Sequence, residues 1–160
     1  MREISIVKAK DLDFTKVKKI LNDVTEDLVS KDIYQWNFTC DENTIKNDIA
    51  NEKVYIILVE GHPVGTFSIE ELCNLKNDFY RKVEGRYLYR VALLPRIQGV
   101  GYGKQILEYI KEECINNNYS LYLDCWSGNE RLKRFYNKSG LKYMGDFPEN
   151  DYNISIFKVM

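Results

Sequence analysis

The sequence contains a single histidine, His62, and only three prolines among 160 residues. A mechanism that needs an imidazole, such as a Ser-His-Asp or Cys-His arrangement, must therefore use His62. The four cysteines include no Cys-x-x-Cys pair, which argues against a zinc site of cysteine and histidine ligands. No apolar run approaches the roughly 20 residues of a membrane-spanning helix, and charges from position 2 onward argue against a secretory signal.

An excess of one charge is also absent, because 23 basic residues stand against 24 acidic residues and the formal net charge is −1. Proteins that bind nucleic acid through its phosphates usually carry a strong basic excess, so we expect no nucleic-acid partner. The hydrophobic fraction of 44% and the chain length predict one globular domain over residues 1–160. We interpret the cysteines as reduced thiols of a cytoplasmic protein, mostly buried, with Cys125 as the candidate for a reactive thiol.

Alternating strand and helix patterns predict an α/β fold with a mixed sheet, in the order βααβββαβαββ. Strands are predicted at 3–8, 53–60, 64–69, 86–94, 119–125, 141–145 and 152–159, and helices at 12–29, 42–50, 101–117 and 129–138. Asp41 is predicted to cap the second helix, and Ser127 with Glu130 to form a capping box before the last. The polar residues 74–85 are predicted to form a loop. Strand 119–125 alternates in polarity, which predicts one buried face.

The most informative segment is Gln98-Gly99-Val100-Gly101-Tyr102-Gly103-Lys104, between a predicted strand and a predicted helix. Glycines let the chain turn tightly and let a ligand approach the amides, and amides at a helix N-terminus attract anions. The segment therefore favours a phosphate or pyrophosphate site, with a ligand-free turn as the alternative. Its spacing does not fit a Walker loop, because only three residues separate Gly99 from Gly103 and Gln105 follows Lys104. It does not fit the Gly-x-Gly-x-x-Gly of dinucleotide-binding folds either, because Lys104 takes the place of the third glycine.

The same segment fits (Gln/Arg)-x-x-Gly-x-(Gly/Ala) after a strand that ends in apolar-x-Pro. In this it resembles the coenzyme A pyrophosphate loop of the GNAT superfamily of N-acetyltransferases. Residues 129–141 resemble a later motif of that family, an Asn that opens a helix ending in aromatic-Tyr-x-x-x-Gly-apolar. The resemblance is specific over residues 86–147. Before residue 86 it rests only on the order of the predicted helices and strands. It implies a GNAT-like, mostly antiparallel sheet flanked by about four helices.

The resemblance implies that acetyl-CoA is the cofactor and that Tyr136 is the general acid for the departing thiolate. A phenol with a pKa of about 10 suits that task. The cofactor-binding residues that it implies are Val91, Ala92 and Leu93 of the strand, Gln98, Gly99, Val100, Gly101, Tyr102, Gly103 and Lys104 of the loop, and Asn129. Two plainer interpretations stay open, namely that Tyr136 only packs in the core and that Asn129 only caps its helix.

The acceptor is expected to be an amine on a small molecule or a peptide, and its identity stays open. Aromatic rings can hold a cation by stacking. The residues expected to line the binding site of the acceptor amine are Tyr34, Trp36, Tyr87, Tyr89 and Trp126. Packing alone explains each of them equally well. Residues 86–94 lack the carboxylate that some family members carry there, so the general base stays unassigned. The candidates are Glu70, Glu71, Glu84, Asp124 and a chain of water molecules.

Two other functions remain open. A non-catalytic acyl-CoA-binding or sensing domain would keep the glycine loop without the chemistry, and a nucleotide-binding module would use it for another phosphate. No metal and no membrane is expected to take part. Dimers are common in the family that the sequence resembles, so a homodimer is compatible with the resemblance.

Overall fold

A computed structural model describes residues 3–32, 41–75 and 77–160. The strands in these ranges are β1 (Ile4–Lys8), β2 (Val54–Val59), β3 (His62–Glu71), β4 (Arg86–Leu93), β5 (Leu121–Trp126), β6 (Lys142–Glu149) and β7 (Tyr152–Lys158). The helices are α1 (Phe14–Ser30), α2 (Glu42–Ala50), α3 (Asp78–Arg81), α4 (Tyr102–Asn117) and α5 (Glu130–Lys138). The predicted α/β class is confirmed, and α3 is an addition to the predicted order of elements.

The strands form a seven-stranded sheet in the order β1-β2-β3-β4-β5-β7-β6. The pairs β1–β2, β2–β3, β5–β7 and β6–β7 are antiparallel, whereas β4 and β5 are parallel. The sheet is therefore mostly antiparallel, as expected. The residues group into two compact units, Met1–Ser68 with Arg90–Gln105 and Ile69–Tyr89 with Ile106–Met160.

The core of the first unit is built on the amphipathic helix α1. Apolar residues recur there every three or four positions, which places one face of the helix in the interior. The buried residues of this core are Ala9, Val17, Ile20, Leu21, Val24, Ile45, Ile49, Val54, Ile56 and Ala92. Helix α2 begins at the predicted cap, where Asp41 Oδ1 accepts a hydrogen bond from the Asn43 amide at 3.2 Å. The buried face fixes α1 and α2 against the strands that lead to the glycine loop.

Strand β4 is bent at Arg90, whose φ of 48° lies in the left-handed region. A non-glycine residue adopts this conformation rarely, and almost never inside a regular strand. The guanidinium Nη1 of Arg90 donates to Asp48 Oδ2 of α2 at 2.7 Å. Strand β4 pairs with β5 at Arg86 and Tyr87, which precede the bend. The sequence of residues 86–94 predicts a continuous strand and contains no sign of the bend.

In the second unit, the predicted loop over residues 74–85 is wrong in part, because it contains α3. Asn77 Oδ1 accepts a hydrogen bond from the Phe79 amide at 2.9 Å and thereby caps this short helix. Tyr80 is buried in a cluster with Leu72, Tyr122, Ile154 and Ile156. One helical turn is too short to produce a hydrophobic period, so tertiary burial of Tyr80 decides its conformation.

Two further local predictions in this unit are corrected. Strand β5 is buried on both faces, because Tyr122 packs into the same cluster as Tyr80 while Leu121 and Leu123 are buried as well. The cap of α5 is Asn129, whose Oδ1 accepts from the Leu132 amide at 3.2 Å, and Ser127 is not the cap.

Of the described cysteines, Cys114 and Cys125 are buried and Cys73 is exposed. The described cysteines are therefore mostly buried, as expected, with Cys73 as the exception, and Cys40 lies outside the described residues. Burial raises the pKa of Cys114 to about 11 and that of Cys125 to about 12. A reactive thiol at Cys125 is not supported, because the thiolate is the reactive form. No described helix has the length and apolar character that crossing a bilayer requires.

Candidate active site

The glycine loop follows β4 through a 3-10 turn at Pro95–Ile97 and leads into α4. The side-chain amide of Gln98 donates to the carbonyl oxygen of Leu93 at 2.7 Å, which ties the loop back to the end of the strand. Gly99 and Gly101 have φ values of 76° and 96°. Side chains disfavour both conformations, so glycine is what allows the chain to turn here.

Most main-chain amides of the loop have no partner within the described part of the chain. The Gln98 amide donates to the carbonyl of Pro95 at 3.2 Å, so the protein itself uses this predicted cofactor contact. From Gly99 to Lys104, no amide donates to a described backbone acceptor. These groups stand at the N-terminus of α4, where the helix dipole adds partial positive charge. An anion is the ligand that such an arrangement binds best.

The side chains of the loop divide into exposed and buried ones. Val100 and Lys104 are exposed, whereas the Tyr102 side chain is buried and offers only its main chain to a ligand. An open cavity of about 770 Å³ adjoins the loop. It is lined by Val59, Glu60, His62, Val64, Arg96, Ile97, Val100 and Tyr102. Arg96 and His62 supply its basic groups.

The strand residues expected to bind the cofactor, Val91, Ala92 and Leu93, lead into this loop. The Ala92 side chain is buried, so only its main chain can serve a ligand. A Cβ atom at Gly65 of β3 would lie 2.7 Å from the Ala92 carbonyl oxygen and 2.8 Å from Leu93 Cδ2. The close approach of β3 therefore depends on glycine at position 65, a residue that sequence analysis did not single out.

Tyr136 lies on α5 in the second unit and is only 8% exposed. Its ring packs against Phe157, with 5.3 Å between the ring centroids. Burial raises the pKa of the Tyr136 phenol well above its usual value, and the charge of the Asp124 carboxylate acts in the same direction. The hydroxyl therefore keeps its proton at any ordinary pH and is available as a donor.

Asp124 of β5 lies in an aromatic environment in the same unit. The Tyr80 hydroxyl donates to Asp124 Oδ2 at 2.8 Å, and the Tyr87 hydroxyl forms a second hydrogen bond with this carboxylate. The rings of Tyr80 and Tyr87 are 5.2 Å apart between centroids. Burial raises the pKa of Asp124 to about 6, although both tyrosine hydrogen bonds lower it and the charge of Glu149 raises it further.

The remaining described residues that were predicted to bind the amine or the cofactor lie in the second unit. Tyr87 and Tyr89 stack with 5.7 Å between centroids and 5° between ring planes. The Trp126 side chain is 40% exposed, and Asn129 caps α5. The structure thus brings Tyr87 together with Tyr89 and Asp124. Tyr34 and Trp36 lie outside the described residues.

Sequence analysis missed Tyr80 because it assigned residues 74–85 to a loop. Asn77 is a favoured N-cap residue, but a single helical turn has no hydrophobic period that would mark Tyr80 as buried. Glu149, whose charge acts on Asp124, left no signal because β6 and β5 are distant in the sequence. In the described ranges, no three His, Cys, Asp or Glu side chains are grouped as a metal ion would require.

Solved structures share the fold at low sequence identity. A GNAT family acetyltransferase from Listeria monocytogenes 4b F2365 is 20% identical, with a TM-score of 0.78 over 98% of this chain and 95% of that chain. An aminoglycoside acetyltransferase solved with coenzyme A and kanamycin is 17% identical, with a TM-score of 0.75 over 98% and 94%. A ribosomal L7/L12 alpha-N-protein acetyltransferase solved with coenzyme A is 10% identical, with a TM-score of 0.70 over 97% and 92%.

The curated proteins compared with the sequence include no match. The family model described as Acetyltransferase (GNAT) family matches residues 21–141, well over half of the chain. The glycine loop, with its free amides ahead of α4, and the helix that carries Tyr136 both lie inside the matched range. On this ground the chain belongs to the acetyltransferase (GNAT) family.

Proposed function

We propose that the protein is an acetyl-CoA-dependent N-acetyltransferase that moves an acetyl group to a primary amine by direct attack. The observation that carries the proposal is the loop from Gly99 to Lys104, whose amides have no described backbone partner. A pyrophosphate needs several such donors close together, and the left-handed glycines present them. Because the chain belongs to the acetyltransferase family, coenzyme A is proposed as the molecule that carries this pyrophosphate.

The cofactor contacts are proposed group by group. The amides of Gly99, Val100, Gly101, Tyr102, Gly103 and Lys104 bind the pyrophosphate, and main-chain groups of Val91, Ala92 and Leu93 bind the pantetheine arm. Gln98 is reassigned from a ligand to a positioning residue, since its amide donates to the Pro95 carbonyl and its side chain to the Leu93 carbonyl at the end of β4. Asn129 caps α5 with its side-chain oxygen, and a contact with the cofactor arm is proposed for it in addition to that role.

Tyr136 is proposed as the general acid. Burial keeps its phenol protonated, so that it can donate a hydrogen bond to the departing sulfur of coenzyme A and stabilise the thiolate. The amine supplies the nucleophile itself, and no covalent intermediate on the enzyme is required. Most of the acceleration then comes from holding the amine beside the thioester.

The acceptor is proposed to be a cationic amine of a small molecule or a peptide. The relatives named above act on an aminoglycoside and on a protein N-terminus, and both acceptors are amines. Tyr87, Tyr89 and Trp126 supply aromatic surface that suits a cation, together with Tyr34 and Trp36 from outside the described residues. We further propose that residues 1–160 act as one acetyltransferase domain and that the protein works in the cytoplasm. Light scattering tests whether the protein is a homodimer.

Two measurements test the proposal. Calorimetry with acetyl-CoA, ATP and NAD should show binding of acetyl-CoA alone, whereas binding of ATP or NAD instead would favour a nucleotide-binding module. Thiol release from acetyl-CoA is then followed with kanamycin, spermidine and a peptide with a free N-terminus. Binding of acetyl-CoA without thiol release with any amine would favour the acyl-CoA-sensing function and contradict the proposed one.

A further inference from the structure

The general base is the group that the sequence leaves unassigned, and the second unit contains one carboxylate with the properties that this task needs. A base for an ammonium group must be ionised near neutral pH and must hold a proton well enough to remove it. An ordinary exposed aspartate is too weak a base, because its pKa of about 3.9 lies far below that of an amine.

We infer that Asp124 is the general base of this acetyltransferase, an assignment that rests on the proposed function. Its carboxylate is partly buried on β5 and is fixed by the hydroxyl of Tyr80 at 2.8 Å and by that of Tyr87. Two neutral donors hold the carboxylate in one orientation without neutralising its charge. Among the described residues, no basic side chain lies within ion-pair distance of Asp124.

Every element packed around Asp124 contributes to its proton affinity. Tyr80 comes from α3, Tyr87 from β4 and Glu149 from β6, while β7 places the apolar Ile156 opposite Asp124 and contributes Tyr152, on whose phenol the charge of Asp124 acts. Desolvation and Glu149 favour the protonated carboxyl, whereas the two tyrosines favour the carboxylate. The result is a group that titrates at about 6, in the range where a general base is effective.

The other carboxylates considered as the general base lack the burial and the two tyrosine hydrogen bonds of Asp124. Glu71 is exposed and forms an ion pair with Arg86 at 3.1 Å, and Glu84 is exposed. Glu70 is partly buried and acts by its charge on Tyr87. Asp124 also lies close enough to Tyr136 for its charge to affect that phenol. The proposed base and the proposed acid are therefore held in the same unit, on β5 and on the helix that follows it.

The Asp124 carboxylate takes one proton from the bound ammonium group, and the nitrogen lone pair becomes available. This lone pair attacks the thioester carbonyl carbon, a C–N bond forms, and the C–S bond breaks with its electron pair remaining on sulfur. The second nitrogen proton passes through solvent or Tyr136 to the thiolate. Asp124 then returns its proton to solvent, so that the products are the amide, the thiol and one proton.

The first experiment measures kcat/KM against pH for the best acceptor of the amine panel. In the wild type, activity should fall about tenfold per pH unit below about pH 6, where Asp124 becomes protonated. Asp124→Asn should lose about 100-fold or more near neutral pH. The remaining kcat/KM of this variant should rise about tenfold per pH unit toward alkaline pH, because without the base it can use only amine that has already lost its proton in solution. Asp151→Asn, on an exposed turn of the same unit, serves as the matched control.

The second experiment needs no acceptor and no cofactor. Carboxyl carbon NMR should show a resonance that is missing from Asp124→Asn and titrates at about pH 6. Tyr80→Phe removes a hydrogen bond that lowers the pKa and should shift this midpoint upward, whereas Glu149→Gln removes a charge that raises it and should shift the midpoint downward. The acidic limb of kcat/KM should move in the same two directions.

The outcomes separate this inference from the proposed function. Wild-type activity in Asp124→Asn, or an Asp124 midpoint near about 4, would overturn the role of the base and leave the acetyltransferase function standing. Thiol release that is absent from the wild type with every amine would overturn both. If Asp124→Asn does not fold, the opposite shifts of the acidic limb of kcat/KM in Tyr80→Phe and Glu149→Gln still test the inference. Identical pH profiles of kcat/KM in these two variants would refute the role of Asp124 as the base.

Discussion

Arg90 Nη1 lies 2.7 Å from Asp48 Oδ2, and this ion pair joins the bend of strand β4 to helix α2. The Asp48 side chain is 13% exposed and that of Arg90 is 23% exposed, so that water screens the pair only partly. An arginine at a φ of 48° carries backbone strain. The contact with Asp48 is one interaction that compensates for it and holds the residues that lead to the glycine loop.

Replacing Asp48 should therefore cost stability. Asp48→Ala leaves the Arg90 guanidinium without this partner in a half-buried position, and we expect the free energy of unfolding to fall by about 1–3 kcal/mol. Urea denaturation followed by circular dichroism measures the change. The control is Asp23→Ala, which removes an exposed ion pair with Lys19 on α1 and should change stability by less than about 1 kcal/mol. Equal losses in the two variants would contradict the structural role of the pair.

Two glycines provide a matched test of the loop. Gly99 and Gly61 have φ values of 76° and 78°, and a Cβ atom at either would meet nothing within 4 Å. Gly99→Ala and Gly61→Ala should therefore lose similar stability, about 1 kcal/mol each, from left-handed strain. Only Gly99→Ala should weaken acetyl-CoA binding in calorimetry, by about tenfold, because it disturbs the amides that hold the pyrophosphate. Equal affinities would show that the loop does not bind the cofactor.

Tyr136→Phe removes the hydroxyl and retains the ring contact with Phe157. We expect stability and acetyl-CoA affinity to change little, while turnover falls by at least about tenfold because the departing sulfur loses its donor. Stopped-flow measurement of thiol release gives the turnover, and calorimetry gives the affinity. Tyr143→Phe is the control, because Tyr143 is exposed and its hydroxyl binds Asp146 at 2.7 Å. Wild-type turnover in Tyr136→Phe would remove this residue from the role of acid.

The cysteines should differ in reactivity. Burial raises the pKa of Cys114 to about 11 and that of Cys125 to about 12. At about pH 8 the thiolate fraction of both is then of the order of one in a thousand or lower. In the native protein, iodoacetamide should label the exposed Cys73 and spare these two until urea unfolds the chain. Peptide mapping by mass spectrometry locates the label, and rapid native labelling of Cys125 would contradict its burial.

The glycine loop could be predicted because its information is local. Glycine spacing, the preceding proline and the start of a helix all lie within residues 95–104, and each acts on its own stretch of backbone. The cap at Asp41 is local in the same way. The cap of α5 was assigned to the wrong residue, because Ser127 and Asn129 are both good caps and the bend after β5 decides which of them reaches the helix.

The sequence by itself determined the alternation of strands and helices, the glycine loop and the position of the helix that carries Tyr136, because periodicity and turn chemistry act over a few residues. Only the tertiary structure decided the bend at Arg90, the short helix α3 and the environment of Asp124. Arg90 and Asp48 are 42 residues apart, and Tyr80 and Asp124 are 44 apart. The proton affinity of a carboxylate depends on the groups that remove water from it, and those groups meet only when the chain folds.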